Sequence, residues 1–182
     1  VGAAGMMCAA HTKGRVLLID HAKAPGEKTR ISGGGRCNFT NLHATPTNFL
    51  SQNRHFCKSA LSRYDQWDFI EMVEKHRIAY HEKTLGQLFC DVSAKQIITM
   101  LRDEMGRAKA EVRLLCAVVG LRKTEGGFEI TLEQDGQRGT VGSTHLVVAT
   151  GGKSIPRMGA TDFAYNVAKQ FQIGVTETRA GL

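Results

Sequence analysis

The spacing of apolar and polar residues changes several times along the chain, and each change predicts an element. Residues 2–11 (GAAGMMCAAH) read as a helix opening on a glycine turn. Arg15-Val16-Leu17-Leu18-Ile19-Asp20 is a short, unbroken apolar run that ends in an acid. A strand buried on both faces, as in a parallel sheet, has that form. Residues 21–41 read as a loop rich in Gly and Lys. From about 56 to 76 the spacing turns helical, with Trp67, Ile70, Met72 and Val73 near one face. Ser93-Ala94-Lys95-Gln96 matches a capping box and predicts a helix carrying Ile97, Ile98, Met100, Leu101 and Met105.

Strand-like pieces follow at 111–119, 127–134 and 140–141, with Asp135-Gly136 as a tight-turn signal. Residues 146–152 (LVVATGG) read as a second buried strand meeting glycines, and 162–171 as a helix. The order predicts an α/β domain with a central parallel sheet, a helical segment at about 50–107 and a β-meander at about 111–145. No internal repeat or low-complexity stretch interrupts it.

The turn at the start carries candidate chemistry. A strand–turn–helix nucleotide site needs small residues for the turn, for approach of backbone to pyrophosphate, and for close helix packing. The helix amino end then presents N–H groups to the phosphates. Val1-Gly2-Ala3-Ala4-Gly5 supplies the second and third glycines of Gly-x-Gly-x-x-Gly. The first would fall before Val1, so the chain is expected to be a fragment lacking a strand before residue 1. The closing Arg179-Ala180-Gly181-Leu182 completes no element, and more is expected after it. Asp20 stands where a carboxylate binds ribose hydroxyls, about 20 residues past the missing glycine. An acid there disfavours a 2′-phosphate, pointing to FAD or NAD as the primary ligand.

Ser32-Gly33-Gly34-Gly35-Arg36-Cys37-Asn38 is the most distinctive stretch. Its glycines let backbone N–H groups converge on an anion or a ring carbonyl. Arg36 could stabilise negative charge on a reduced flavin and Asn38 could hydrogen-bond its edge, whereas the bland reading is a flexible surface loop.

Composition narrows the class. At 182 residues with 42% apolar positions, the chain is about one domain with a sizeable core. No apolar run reaches the roughly 18 residues of a membrane span, and no signal peptide precedes the first element, so a cytoplasmic protein is expected. Cys8, Cys37, Cys57, Cys90 and Cys116 are scattered and odd in number, without metal-ligand spacing; free thiols are expected and no metal site. The net charge of +7 favours polyanions, RNA or a phosphate-bearing cofactor, without choosing between them. No interleaving of stacking aromatics with basic residues marks an RNA-binding module.

The sequence resembles the BaiN/YhiN-type (RdsA-like) family of NAD(P)/FAD-dependent oxidoreductases, flavoproteins built on a glutathione-reductase-like, Rossmann-like FAD-binding domain. The resemblance rests on VGAAGMM at 1–7, VLLIDH at 16–21, ISGGGRCNFTNL at 31–42, EKTLGQLFC at 82–90 and LVVATGG at 146–152. It departs at Glu27, where Arg is usual, at Thr29-Arg30, which replace an apolar pair, and at Ala164, where Gly is usual. The resemblance implies that Gly2, Ala3, Ala4 and Gly5 hold the pyrophosphate of FAD and that Asp20, next to His21, holds the AMP ribose. It further implies Lys28, Ser32, Gly33, Gly34 and Arg36 along the cofactor, the Val118 backbone at the adenine, and Thr150 and Gly151 beside the phosphates. An inserted substrate domain is expected after residue 182.

The activity implied is reduction of FAD by NAD(P)H, then hydride delivery to an electron-poor C=C bond. A uridine of 23S rRNA is the favoured acceptor, giving dihydrouridine. A small enone-like metabolite is the alternative, and a non-redox FAD-binding partner in RNA modification a further one. Arg36, Asn38 and Cys37 are the catalytic candidates. Cys37 would donate the proton, by analogy with other dihydrouridine-forming enzymes, or only pack. His43, His55 and His81 read as structural or surface histidines. Oligomeric state leaves no mark in the sequence.

Overall fold

The computed structural model describes residues 1–154 and 161–179. The chain divides into two compact units, Val1–Glu27 with Met105–Leu182, and Lys28–Glu104. The closing residues 180–182 lie outside the described residues.

In the first unit, α1 (Ala3–His11) is built from small residues and methionines, with Met6 and Ala9 buried. The apolar run after it forms β1 (Leu17–Ile19), which pairs in parallel with β5 (Glu111–Arg113), Leu18 opposite Val112. A parallel neighbour cannot be reached by a tight turn, so the chain between them is long. The segments β6 (Ala117–Thr124), β7 (Gly127–Gln134) and β8 (Gln137–Ser143) form an antiparallel meander. Asp135 and Gly136 both take positive φ, 52° and 75°, as a two-residue hairpin of this twist requires. Cys116, Ile130 and Leu132 make its core, with Ile19, Val118, Leu121 and Phe128 packed against them. The last helix of this unit (Phe163–Gln170) leads into Phe171, whose ring meets Phe128 edge-on at 6.0 Å.

Residues 146–150 depart from the predicted buried strand. They form no ladder, and Val147 is 65% exposed. A strand exists only with a hydrogen-bonded neighbour, and no described segment pairs with this one; the apolar run alone could not supply it.

In the second unit, the stretch predicted as loop is largely structured. It holds α2 (Glu27–Ile31), a 3-10 turn at Ser32–Gly35 and β2 (Asn38–Asn41). Two short helical pieces, Pro46–Asn48 and α3 (Lys58–Leu61), precede α4 (Gln66–Lys75). The predicted helical face holds in part: Ile70 and Val73 are buried, whereas Trp67 is exposed. The helical segment expected at about 50–107 contains two strands, β3 (Tyr80–Glu82) and β4 (Gln87–Cys90). They complete an antiparallel sheet of order β2-β4-β3, with β4 in the centre and Leu88, Phe89 and Cys90 buried. The capping box is present: Ser93 Oγ accepts from the Lys95 amide and Gln96 Oε1 from the Ser93 amide. It starts α5 (Lys95–Arg107), which buries Ile97, Ile98, Met100 and Leu101.

Candidate functional site

The amino end of α1 lies beside the carboxyl end of β1. Gly2 caps the helix in extended backbone, and its carbonyl accepts the Met6 amide at 3.0 Å. No side chain caps this end and no acid stands in the first turn. Nothing in α1 itself therefore offsets the positive end of its dipole. A Cβ built on Gly2 would meet nothing within 4 Å, so the space before this backbone is open. At Gly5 a Cβ would lie 3.6 Å from the Ala149 Cβ, ordinary contact that brings α1 close to the segment before Thr150.

Asp20 closes the arrangement. Its carboxylate accepts the Ala22 amide at 2.9 Å and lies against the backbone nitrogen of Val1. Its backbone is held on both sides, donating to the Arg113 carbonyl and accepting from the Cys116 amide. The acid is thus fixed against the start of the helix by β5 and the residues after it. His21 Nδ1 stands 3.6 Å from Asp20 Oδ1, with the ring largely exposed. Ala3 and Ala4 are exposed in the first turn. Val118 pairs with Leu132, and the register skips Val119 there, a bulge that breaks the ladder. Thr150 and Gly151 are exposed, Gly151 at φ 76°.

The remaining candidates, Lys28, Ser32, Gly33, Gly34, Arg36, Cys37 and Asn38, lie in the second unit. Gly33 and Gly34 both take left-handed backbone, at φ 56° and 66°. At Gly33 glycine is obligatory, because a Cβ would stand 2.6 Å from Phe89 Cε1 and 2.9 Å from the Asn38 amide. Gly34 faces open space. The turn is sewn to β4 and α5: the Cys90 amide donates to the Arg36 carbonyl and the Ala94 amide to that of Gly35. Ser32 spends its hydroxyl on the Thr29 carbonyl, at 2.8 Å. Lys28 is half-buried on α2.

Arg36 and Asn38 are exposed, whereas Cys37 between them is only 5% exposed. The turn thus leaves the two polar side chains outward, while the thiol of Cys37, on left-handed backbone, is turned inward. Burial pushes the Cys37 thiol above its usual range, and a hydrogen bond with Ser32 offsets this only in part. Cys37 also holds φ 55°, a strained value for a residue with a Cβ. All five cysteines are free. Among the described residues no group of three or more His, Cys, Asp or Glu is placed to hold a metal, and no helix is long and apolar enough to cross a membrane.

A parallel strand pair joined to a glycine-opened helix, with an acid at the first strand's end, defines an α/β domain of the Rossmann type. The chain belongs to the family of the HI0933-like protein Rossmann domain, whose profile matches residues 1–181. It is 56% identical to the ribosomal RNA dihydrouridine synthase of Escherichia coli, over 100% of this chain and 45% of that protein. Identity to the protein of the same name in Haemophilus influenzae is 46%, over 100% of this chain and 46% of that one. The 3-dehydro-bile acid delta(4,6)-reductase of Clostridium scindens is 25% identical over 92% of this chain and 41% of its own length. The chain therefore spans about half the length of these relatives. Among solved structures, THI4 of Thermovibrio ammonificans superposes with a TM-score of 0.50 at 12% identity, covering 94% of this chain and 58% of that one. That likeness is one of fold.

Proposed function

We propose that this chain is the FAD-holding part of an oxidoreductase that reduces a uridine of 23S rRNA to dihydrouridine at the expense of NAD(P)H. The observation that carries the cofactor is the open, uncapped start of α1 at Gly2 with Asp20 fixed beside it. What carries the substrate is the 56% identity to a ribosomal RNA dihydrouridine synthase. Such a substrate places the protein in the cytoplasm.

In this reading the amides from Gly2 through Ala3 and Ala4 to Gly5 meet the diphosphate, where the helix dipole favours negative charge. Asp20 accepts from ribose hydroxyls, and its charge repels a 2′-phosphate; His21 flanks it. The Val118 backbone, next to the bulge at Val119, is offered to the adenine, and Thr150 and Gly151 to the phosphates. Lys28, Ser32, Gly33, Gly34 and Arg36 are assigned as further cofactor contacts on the family resemblance. Bound FAD supplies the two-electron chemistry by which hydride from the nicotinamide reaches an activated C=C bond. Arg36 contributes an exposed cation and Asn38 an exposed amide. Saturating the bond takes a hydride on one carbon and a proton on its neighbour. Cys37, buried beneath the turn with burial pushing its thiol above its usual range, is assigned as donor of that proton or to packing there.

The test is direct. The purified full-length protein is expected to be yellow and to bleach anaerobically with NADH or NADPH. Ribosomal RNA from a deletion strain should lose one dihydrouridine in mass mapping. Failure to bleach with either nicotinamide removes the redox reading, and unchanged dihydrouridine content removes the RNA substrate. The 25% identity to a bile acid reductase supports a second reading, reduction of a small enone. It predicts that a steroid enone reoxidises the bleached protein while the rRNA stays unaltered.

A further inference from the structure

We propose that residues 46–63 form a docking surface for single-stranded ribosomal RNA, with Phe49 and Phe56 stacking on bases and Arg54, Lys58 and Arg63 meeting phosphates. The inference deepens the RNA reading above and rests on it.

Between Glu27 and Asp65 the sequence has no acidic residue but six lysines and arginines. The structure puts three of them, Arg54, Lys58 and Arg63, on the exposed arc that joins β2 to α4. None of the three has a carboxylate partner among the described residues. Arg54 donates Nε to His55 Nε2 at 3.2 Å, which leaves its terminal N–H groups to the outside. Large apolar side chains stand among these cations: Phe49 is 48% exposed, Leu50 96% and Phe56 79%. A groove of about 420 Å³ runs along the arc, lined by Pro46, Phe49, Leu50, Arg54, His55 and Lys58. That lies within the range of about 300–1,000 Å³ that small ligands fill, enough for a nucleotide.

Local bonds hold the arc in place. Thr45 and Asn48 form a capping box at the first turn. The Asn53 side chain accepts the His55 amide at 3.0 Å, and Cys57 Sγ donates to the Pro46 carbonyl. Apolar side chains grouped on a surface and rimmed by polar residues mark interaction sites. Charge selects that partner: an acid-free cationic arc attracts a polyanion, and stacking rings beside phosphate contacts suit unpaired nucleotides. Linear spacing hides this interleaving, because Phe49 and Arg54 come together only through the turns at 46–55.

Binding of the full-length protein to a fluorescein-labelled oligouridine and to unmodified rRNA tests the proposal. Phe49→Ala and Phe56→Ala should each weaken binding about five-fold or more, the lower bound for losing one stacked base. The triple change Arg54→Gln, Lys58→Gln, Arg63→Gln should lower the slope of log K against log salt by about 2, from about 0.7 per phosphate on a single strand. Photocrosslinking of thiouridine-labelled RNA to the unaltered protein, read by peptide mass spectrometry, should mark 46–63; it needs no variant to fold. Wild-type protein that binds the RNA while crosslinks fall elsewhere and the variants bind equally overturns this surface alone. Variants that keep RNA binding but lose a protein partner give the arc to that partner and overturn it as well. Wild-type protein that binds neither RNA strikes at the RNA substrate itself, a separate failure.

Discussion

A methyl group added at Gly2 enters open space on backbone at φ −82°, whereas one added at Gly33 collides with Phe89 on backbone at φ 56°. Gly2→Ala is therefore expected to leave stability within about 0.5 kcal/mol of wild type. Gly33→Ala should cost about 2 kcal/mol or more, from left-handed strain and overpacking together. Urea denaturation of the two variants checks both, and equal losses would contradict the assignment. Both glycines were picked out in the sequence for the same reason, nearness to a cofactor. Only the geometry shows that one is needed by the fold, while a side chain at the other would meet nothing within 4 Å. Thiol chemistry gives a further outcome at this scale. Burial is the main cause that pushes the Cys90 thiol from 9.0 to about 11, and the nearby Cys37 thiol moves the same way. A thiol held protonated more tightly in the fold stabilises it below its unfolded pKa and stops doing so as pH climbs through the folded one. Stability should thus fall between pH 9 and about 11, by an amount on the order of 2 kcal/mol for Cys90. Urea titrations across that window measure it, and a Cys90→Ala protein should show a shallower fall.

Helices and hairpins declared themselves because their signals are local. The capping box at Ser93 and Gln96, the Asp135-Gly136 turn and the apolar face of α4 each lie within a few residues of one another. Ser93→Ala should cost about 1 kcal/mol by removing the oxygen that accepts the Lys95 amide; an unchanged unfolding midpoint would mean the cap contributes nothing. The short strands β2, β3 and β4 were not legible. Asn38-Phe39-Thr40-Asn41 is mostly polar, and Tyr80-His81-Glu82 is too short to show a period. Their pairing is non-local, with Asn38 opposite Phe89 and Tyr80 opposite Cys90, and no window along the chain contains both partners. Residues 146–150 failed in the opposite sense. Their composition is that of a buried strand, but composition cannot provide a neighbour.

At the scale of the molecule, family and fold class were readable because specific motifs are spread over the chain, from the glycine turn at Gly2 to the glycines at 151–152. The +7 charge was readable as a number but not as a place; the structure sets three of the cations, Arg54, Lys58 and Arg63, on one exposed arc. The account depends most on the start of α1 and Asp20 holding FAD. Flavin released by heat from the full-length protein, identified and quantified by chromatography, measures this directly. The wild type should yield FAD equimolar with protein. Asp20→Ala and Gly2→Val, the latter filling the open space before the helix, should each lower its affinity about ten-fold or more, as loss of a charge-assisted hydrogen bond or a phosphate contact does. Wild type without FAD, or both variants as fully loaded as wild type, would contradict it.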